Sequence, residues 1–398
     1  MQIIDPTHDT RRATAPGPSP RSRNLLAACL AHALHDGYTD GLYAFMPVWQ
    51  AEFGLSYAGL AVVRALYYGT MGGLQLPGDM VLRRLSPRST LALSTLIASA
   101  GFLIMALPFG FAGLCVGLIV AGLGSSIQHP RASQLVTDTY GGASRGPLSI
   151  YNFSGDIGKA TLPAIAALLL PLLAWRPVIG MMAALGLAAT FGLLFLAPAR
   201  FPVARGAAEK SGVDRRSAGF TLLTSIGALD TATRMGYLLF LPFLIHGRGG
   251  TSATVGIGLA LLFIGGALGK AACGRLGQYL GVAGTVLATE AATAILMTTT
   301  LFMPLMPMLV ILPLLGIFLN GTSSVLYGTV PELAPNGNTG RAFAIFYTSV
   351  IGSGGFAPIL YGAIADHSNQ TVGILTAAAT AALIIPLVLA LRPFLKSP

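Results

Sequence analysis

Long runs of Leu, Ala, Ile, Val and Phe, interrupted by Gly and closed by short polar turns, recur along the whole chain. A hydrophobic stretch of about 20 residues crosses the hydrocarbon core of a bilayer as an α-helix. Twelve such stretches are legible: 25–48, 57–80, 89–107, 110–132, 146–173, 177–197, 219–245, 252–276, 283–303, 306–330, 341–363 and 371–391. The second, fifth and eleventh are the least hydrophobic, and their Gly, Ser, Thr and Tyr suit faces turned to other helices or to water. One longer polar interruption, 199–218, divides the spans into a unit over 24–198 and a unit over 219–392. The pattern predicts an all-α integral membrane protein of twelve transmembrane helices in two six-helix bundles joined by a charged linker. Residues 1–23 carry Pro, Ser, Thr and Arg without the apolar centre of a signal peptide, so they read as a disordered tail, with 393–398 a second short one.

Composition agrees with lipid as the solvent. Of 398 residues, 54% are hydrophobic and 10% charged, and the mean hydropathy is +0.71, whereas soluble domains carry about 25% charged residues. A disulfide scaffold is excluded, since Cys29, Cys115 and Cys273 lie far apart in apolar runs. The net charge of +10 would suit a nucleic acid, but its placement has another cause. One side of the spans receives Arg11, Arg12, Arg21, Arg23, Arg83, Arg84, Arg88, Arg145, Arg200, Arg205, Lys210, Arg215, Arg216, Arg275, Arg341, Arg392 and Lys396. The other receives Arg176 and Arg248, with Glu52 and Asp366. Short loops rich in Lys and Arg stay in the cytoplasm. The expectation is a multi-pass protein of the inner (plasma) membrane, both termini cytoplasmic, with anionic lipid as neighbour and no nucleic-acid partner.

The two units also resemble each other. At an offset of 195 residues, Ala33 and Leu34 fall on Ala228 and Leu229, Gly41 on Gly236, Phe45 on Phe240, Pro47 on Pro242, Ser86 on Gly281 and Pro163 on Pro358. With a slip of one residue, Arg145 and Tyr151 match Arg341 and Tyr347. Parallel repeats of this kind build rocking transporters, with the site between the halves near the midplane.

Charged side chains inside a span cost roughly 2.5–3.5 kcal/mol each on insertion scales, so those present need partners or a wet cavity. His32, Asp36, Asp40 and Tyr43 recur at helical spacing and form one polar stripe on the first helix. Asp230 and Arg234 occupy the matching segment of the seventh; Arg64, His129, Arg131, Asp156, Lys159, Lys270, Glu290 and Asn320 lie on others. For Asp230 with Arg234, and for Asp156 with Lys159, a plain intrahelical ion pair is the alternative to a functional role. His129 and Arg131 near a helix end suit snorkelling. The first-helix stripe has no cation on its own helix, and an unpaired buried carboxyl favours its protonated form. Exchange between the two forms as access alternates is what proton coupling requires, which points to Asp36 or Asp40. His32, His35 and Asp36 also have metal-ligand character, but no Cys or Met cluster answers them elsewhere, so no metal and no cofactor is expected. Gly265, Gly266 and Gly269, and Gly352, Gly354 and Gly355, are expected at close helix contacts.

At these residues the chain resembles the major facilitator superfamily. That family's cytoplasmic signature between its second and third helices is Gly-x-Leu-x-Asp-x-x-Gly followed by basic residues. Here Gly274, Leu276, Gln278 and Gly281 echo it, with Gln278 in the acid's place. In the first half the equivalent stretch holds Asp79 where Gly is usual and Arg83 where the acid is usual, followed by Arg84 and Arg88. The resemblance implies a gating latch, rewired here through Asp79. A closer resemblance is to the fosmidomycin-resistance type of drug-efflux transporter. It is carried by His32 to Asp36, by the Gly122–Pro130 string that ends in His129 and Pro130, and by Gly155, Gly158 and Pro163. Pro130 is expected to disrupt its helix near the cytoplasm. Asp156, Lys159 and Arg131 depart from that family's pattern, altering charge near the expected cavity.

The resemblance implies alternating-access, proton-coupled export of a small polar or anionic compound or drug by a monomer. The partners would be that substrate, protons and membrane lipid. Uptake of an organic anion is the alternative, ahead of divalent metal export and of a non-transporting sensor. An enzyme is not expected: Ser125 and Ser126 beside His129 are the nearest approach to a nucleophile and base.

Overall fold

The structure, a computed structural model, describes residues 19–82, 84–199, 216–335 and 339–395. Helices account for nearly all of them, and no strand occurs among the described residues. In chain order they are α1 (Pro20–Phe53), α2 (Tyr57–Gly73), α3 (Gln75–Leu82), α4 (Pro87–Ala106), α5 (Gly110–Tyr140), α6 (Arg145–Leu169) and α7 (Trp175–Leu196). There follow α8 (Arg216–His246), α9 (Ser252–Thr300), α10 (Leu305–Leu333), α11 (Thr339–His367) and α12 (Gln370–Leu391). Side-chain oxygens start several of them: Ser56 accepts from the Gly59 N–H, Ser86 from Ser89 and Asn369 from Val372, while Thr251 and Thr254 form a capping box.

Two points differ from the hydropathy reading. The stretch 57–80 is two helices, broken at Leu74. The stretches 252–276 and 283–303 are the two arms of α9, which meet at a kink. Only Gly281 leaves helical geometry there (φ 66°, ψ 177°), a conformation that glycine reaches without a Cβ clash. Pro130 does not end its helix; α5 continues to Tyr140.

Among the described residues, eight helices are long and apolar enough to cross a membrane. Helices α1, α2 and α6 are not among them. Helix α2 has 17 residues, while α1 and α6 carry the ionisable residues that lower their hydropathy.

Helix α1 packs on α5, α6 and α7, and α4 packs on α5 and α7; α8 packs on α11 and α12, and α9 on α10 and α12. The first seven helices meet the last five along α2–α11, α6–α9 and α1–α8. Residues matched at the 195 offset take corresponding places. Pro47 and Pro242 lie inside α1 and α8, and Pro163 and Pro358 inside α6 and α11. A Cβ on Gly41 would meet Met182 of α7 at 3.1 Å, and one on Gly236 would press on the Tyr361 ring of α11 and meet Ala377 of α12 at 3.2 Å.

Of the glycines expected at close contacts, Gly265 and Gly269 lie against the backbone of Pro313 and Ile317 on α10, and Gly266 against Asn320. On α11 only Gly354 is crowded, by Tyr68 and Thr231 at 2.9 Å. Gly352 faces open space and Gly355 reaches Tyr68 only at 3.9 Å. One face of α11 turns to its neighbours, and successive residues step about 100° around a helix.

Candidate functional site

The polar stripe of α1 is buried, and other helices supply the partners it lacks. The Lys159 Nζ of α6 lies 3.2 Å from Asp36 Oδ2. His32 Nε2 lies 3.6 Å from the same oxygen, and His129 Nε2 of α5 lies 3.7 Å from Oδ1. Asp36 is therefore paired, contrary to its expected role as an unpaired acid. The His32 ring stacks on Tyr151 at 4.0 Å and meets His129 edge-on at 5.3 Å. Gly155 makes this approach possible: a Cβ there would lie 2.5 Å from both Asp36 Oδ2 and His32 Nε2. The pairing also corrects two expectations. His129 belongs to the Asp36 cluster rather than to a cytoplasmic end. Lys159 pairs with Asp36 of α1 instead of with Asp156 on its own helix.

Asp156 pairs with Lys270 of α9 at 2.5 Å, an ion pair that joins the first set of helices to the second.

The metal-ligand character of the stripe resolves differently from the His32, His35 and Asp36 set. His35 turns away and bonds Ser125 Oγ at 2.8 Å and Thr95 Oγ1 at 3.2 Å, within a hydroxyl network that continues to Tyr67 and Thr39. Ser125 is thereby committed to His35 and Tyr67, not to His129. His32, Asp36 and His129 do offer ligand atoms within 4.8 Å of one another. The Lys159 ammonium already neutralises their carboxylate, however, and would repel a metal cation.

Asp40 is 4% exposed and has no ion pair or hydrogen bond among the described residues. Arg64 of α2, 3% exposed, likewise has no carboxylate within ion-pair reach. Its guanidinium lies over the Tyr43 ring at 4.3 Å and the Tyr68 ring at 4.8 Å. Arg64 Nη2 reaches the Met235 sulfur at 3.5 Å, and the Tyr43 hydroxyl donates to the same sulfur at 3.3 Å.

On α8, Asp230 and Arg234 do not close into an ion pair. Arg234 Nη1 donates to Asn320 Oδ1 at 3.5 Å, while the Asp230 carboxyl meets Glu290 of α9. Glu290 also bonds Thr322, whose hydroxyl donates to Thr289 at 2.8 Å. Asp230 lines a narrow recess with Ser323, Tyr327 and Phe346.

Arg88 anchors the start of α4 to the end of α7, donating from Nε to the Ala197 carbonyl at 3.0 Å. Arg84, Gly274 and Gln278 are exposed, and Gly281 supplies the break in α9. The Asp79 side chain and Arg83 lie outside the described residues.

Sequence reasoning missed Tyr67, Tyr68, Tyr151 and Met235. The signal for two of them was available, since Tyr67 and Tyr68 stand three and four residues after Arg64 on one helix.

The model of the family described as Major Facilitator Superfamily matches residues 28–226. The "Fosmidomycin resistance protein" of Escherichia coli (strain K12) is 22% identical over 365 residues, 87% of each chain. The "Uncharacterized MFS-type transporter YfnC" of Bacillus subtilis (strain 168) is 25% identical over 383 residues, again 87% of each. Among solved structures, a bacterial homolog to the human lysosomal transporter Spinster, inward-facing and unoccupied, superposes with a TM-score of 0.76 at 15% identity. It covers 96% of this chain and 100% of its own.

Proposed function

Because the chain belongs to the Major Facilitator Superfamily, we propose that it is a proton-coupled secondary transporter that moves a small polar or anionic compound by alternating access. In this reading α2 with α3 makes one crossing and α9 makes two, so that twelve crossings form bundles over 24–198 and 219–392, joined by the linker 199–218. The corresponding places of Pro47 with Pro242 and of Pro163 with Pro358 support the division. Both termini then face the cytoplasm, and the membrane is the inner (plasma) membrane, as the distribution of Lys and Arg supports.

The observation that carries the reading is the set of buried acids and bases between the helices that would have to part. Asp156 with Lys270 and Arg64 with Met235 span the two sets of helices, while Asp36 with Lys159 and the unpaired Asp40 stand beside them on the first set. Removing one partner of a buried ion pair costs about 3–5 kcal/mol. Rocking therefore proceeds only if substrate and protons replace the partners that separate. Asp40 is the better proton carrier of the α1 acids, since Asp36 is held by Lys159, His32 and His129.

Two directions suit this machinery. Export in exchange for protons is supported by the name of the fosmidomycin-resistance relative. Uptake together with a proton is supported by Arg64 and Arg234, because an anion and a proton assist each other's binding at a cationic site beside an acid. Purified protein in liposomes with an imposed pH gradient and fosmidomycin as probe tests the reading. The expected result is net accumulation on one side, acidic for exchange and alkaline for co-transport. Binding without flux would mark a sensor and end the proposal.

A further inference from the structure

Arg64 is a buried guanidinium held by weak partners. Its Nε has no hydrogen-bond partner, its charge faces two tyrosine rings, and Nη2 touches a thioether sulfur. Arg234 is similar, with an unpartnered Nε and a single 3.5 Å bond to Asn320. The two arginines come from α2 and α8, one from each half, and both act on Tyr43 and Tyr68. A guanidinium offers five N–H donors in a planar fork that matches an oxyanion. Most of those donors are unused here.

Met235, one residue after Arg234 on α8, occupies the point where Arg64 and Tyr43 converge. Its sulfur accepts from the Tyr43 hydroxyl at 3.3 Å and from Arg64 Nη2 at 3.5 Å. Sulfur is a weak acceptor, and Met is a flexible, unbranched side chain that readily moves aside. A charged oxygen in the same place would make shorter and stronger bonds to the same donors.

Asp40 stands within this field. The charged groups acting on it are Lys159 from α6, Arg64 from α2, Arg234 from α8 and Asp36 from its own helix. His129 of α5 and Lys270 of α9 act on Asp36, and Arg176 of α7 pairs with Glu52. Tyr43, Tyr67 and Tyr68 complete its ionisable surroundings. While ionised, Asp40 competes with any other anion for the two arginines. Once protonated, it leaves both free.

We propose that Arg64, Arg234 and the Tyr43 hydroxyl bind the oxyanion of the transported compound, a carboxylate or a phosphonate, at the place Met235 Sδ fills, and that Asp40 takes up a proton as it binds. The inference rests on the transport reading and deepens it. Anion and proton then travel together, so the compound concentrates on the alkaline side of a pH gradient.

The test uses the full chain in detergent with acetate and methylphosphonate, which are little more than the oxyanion, and reads binding from the rise in Tm. At least one of them is expected to bind, and the two arms decide between carboxylate and phosphonate. The pH dependence is read on acetate, which stays ionised across the range. Its affinity is expected to rise at least about fivefold from pH about 8 to about 6, at the low end of ordinary coupling. Asp40→Asn should flatten that dependence while binding persists, a result that His32 and His129 titration would not give. Arg64→Gln should abolish binding. Arg64→Lys, which keeps the charge but not the fork, should weaken it and serves if the Gln variant does not fold. No binding of either probe to the wild type, an Arg64→Lys variant with unchanged affinity, or wild-type pH dependence in Asp40→Asn overturns the proposal. Flux of fosmidomycin into liposomes alongside any of these results would leave the transport reading standing, whereas absent flux would remove it.

Discussion

Replacing Lys159 by Met would leave the Asp36 carboxylate buried with only His32 and His129 beside it. A loss of about 3 kcal/mol is expected, the scale for breaking a buried pair from one side. Adding Asp36→Asn should recover most of it, because the stranded charge is gone. Thermal unfolding of the three variants in detergent checks this, and an unchanged Tm in the single variant would show that the pair contributes nothing. The polar stripe itself was legible in the sequence, since four residues at helical spacing share a face. Their partners were not. Periodicity tells which side chains share a face of α1 but not which face of α5 or α6 meets it, so His129 was read as a helix-end residue and Lys159 as a partner of Asp156. His35 shows the same limit: it stands beside Asp36 in sequence, yet one step of about 100° sends it to Ser125 and Thr95.

Helix contacts can be tested by adding single methyl groups. Gly269→Ala would press a Cβ into the Ile317 backbone of α10 and is expected to cost roughly 1–3 kcal/mol as α9 and α10 shift apart. Gly352→Ala meets nothing and should gain up to about 1 kcal/mol from helix propensity. Gly281→Ala places a Cβ at a positive φ and should cost about 1–2 kcal/mol, straightening α9 or loosening the break. Melting temperatures of the three rank these effects, and a Gly352→Ala loss as large as that of Gly269→Ala would contradict the packing described. At this scale the order and apolarity of the helices were plain from hydropathy alone. The break at Leu74 was harder to read, because that residue carries no strong stop signal. Whether the backbone breaks or continues there depends on packing.

At the scale of the molecule, the Asp156–Lys270 ion pair links the two sets of helices, as do the bonds from the Tyr57 and Ala58 N–H groups to the Asp366 carboxylate. Lys270→Met should slow net transport by leaving Asp156 uncompensated at the moving interface, and exchanging the pair (Asp156→Lys with Lys270→Asp) should recover part of the rate. Recovery is read as initial flux; none at all would mean the positions act through separate neighbours. The matched Gly, Phe and Pro at an offset of 195 residues gave the expectation of a site between halves. The tyrosine and methionine setting of Arg64 was not legible, because it is assembled from α1, α2 and α8. The central claim is that transport is coupled to protons through this buried centre. Methylphosphonate flux in liposomes carrying an imposed pH gradient tests it most directly, comparing the wild type with Asp40→Asn. The account predicts that the wild type concentrates the anion on the alkaline side while Asp40→Asn only equilibrates it. A wild type indifferent to the gradient, or an Asp40→Asn variant that still accumulates the anion as the wild type does, would contradict it.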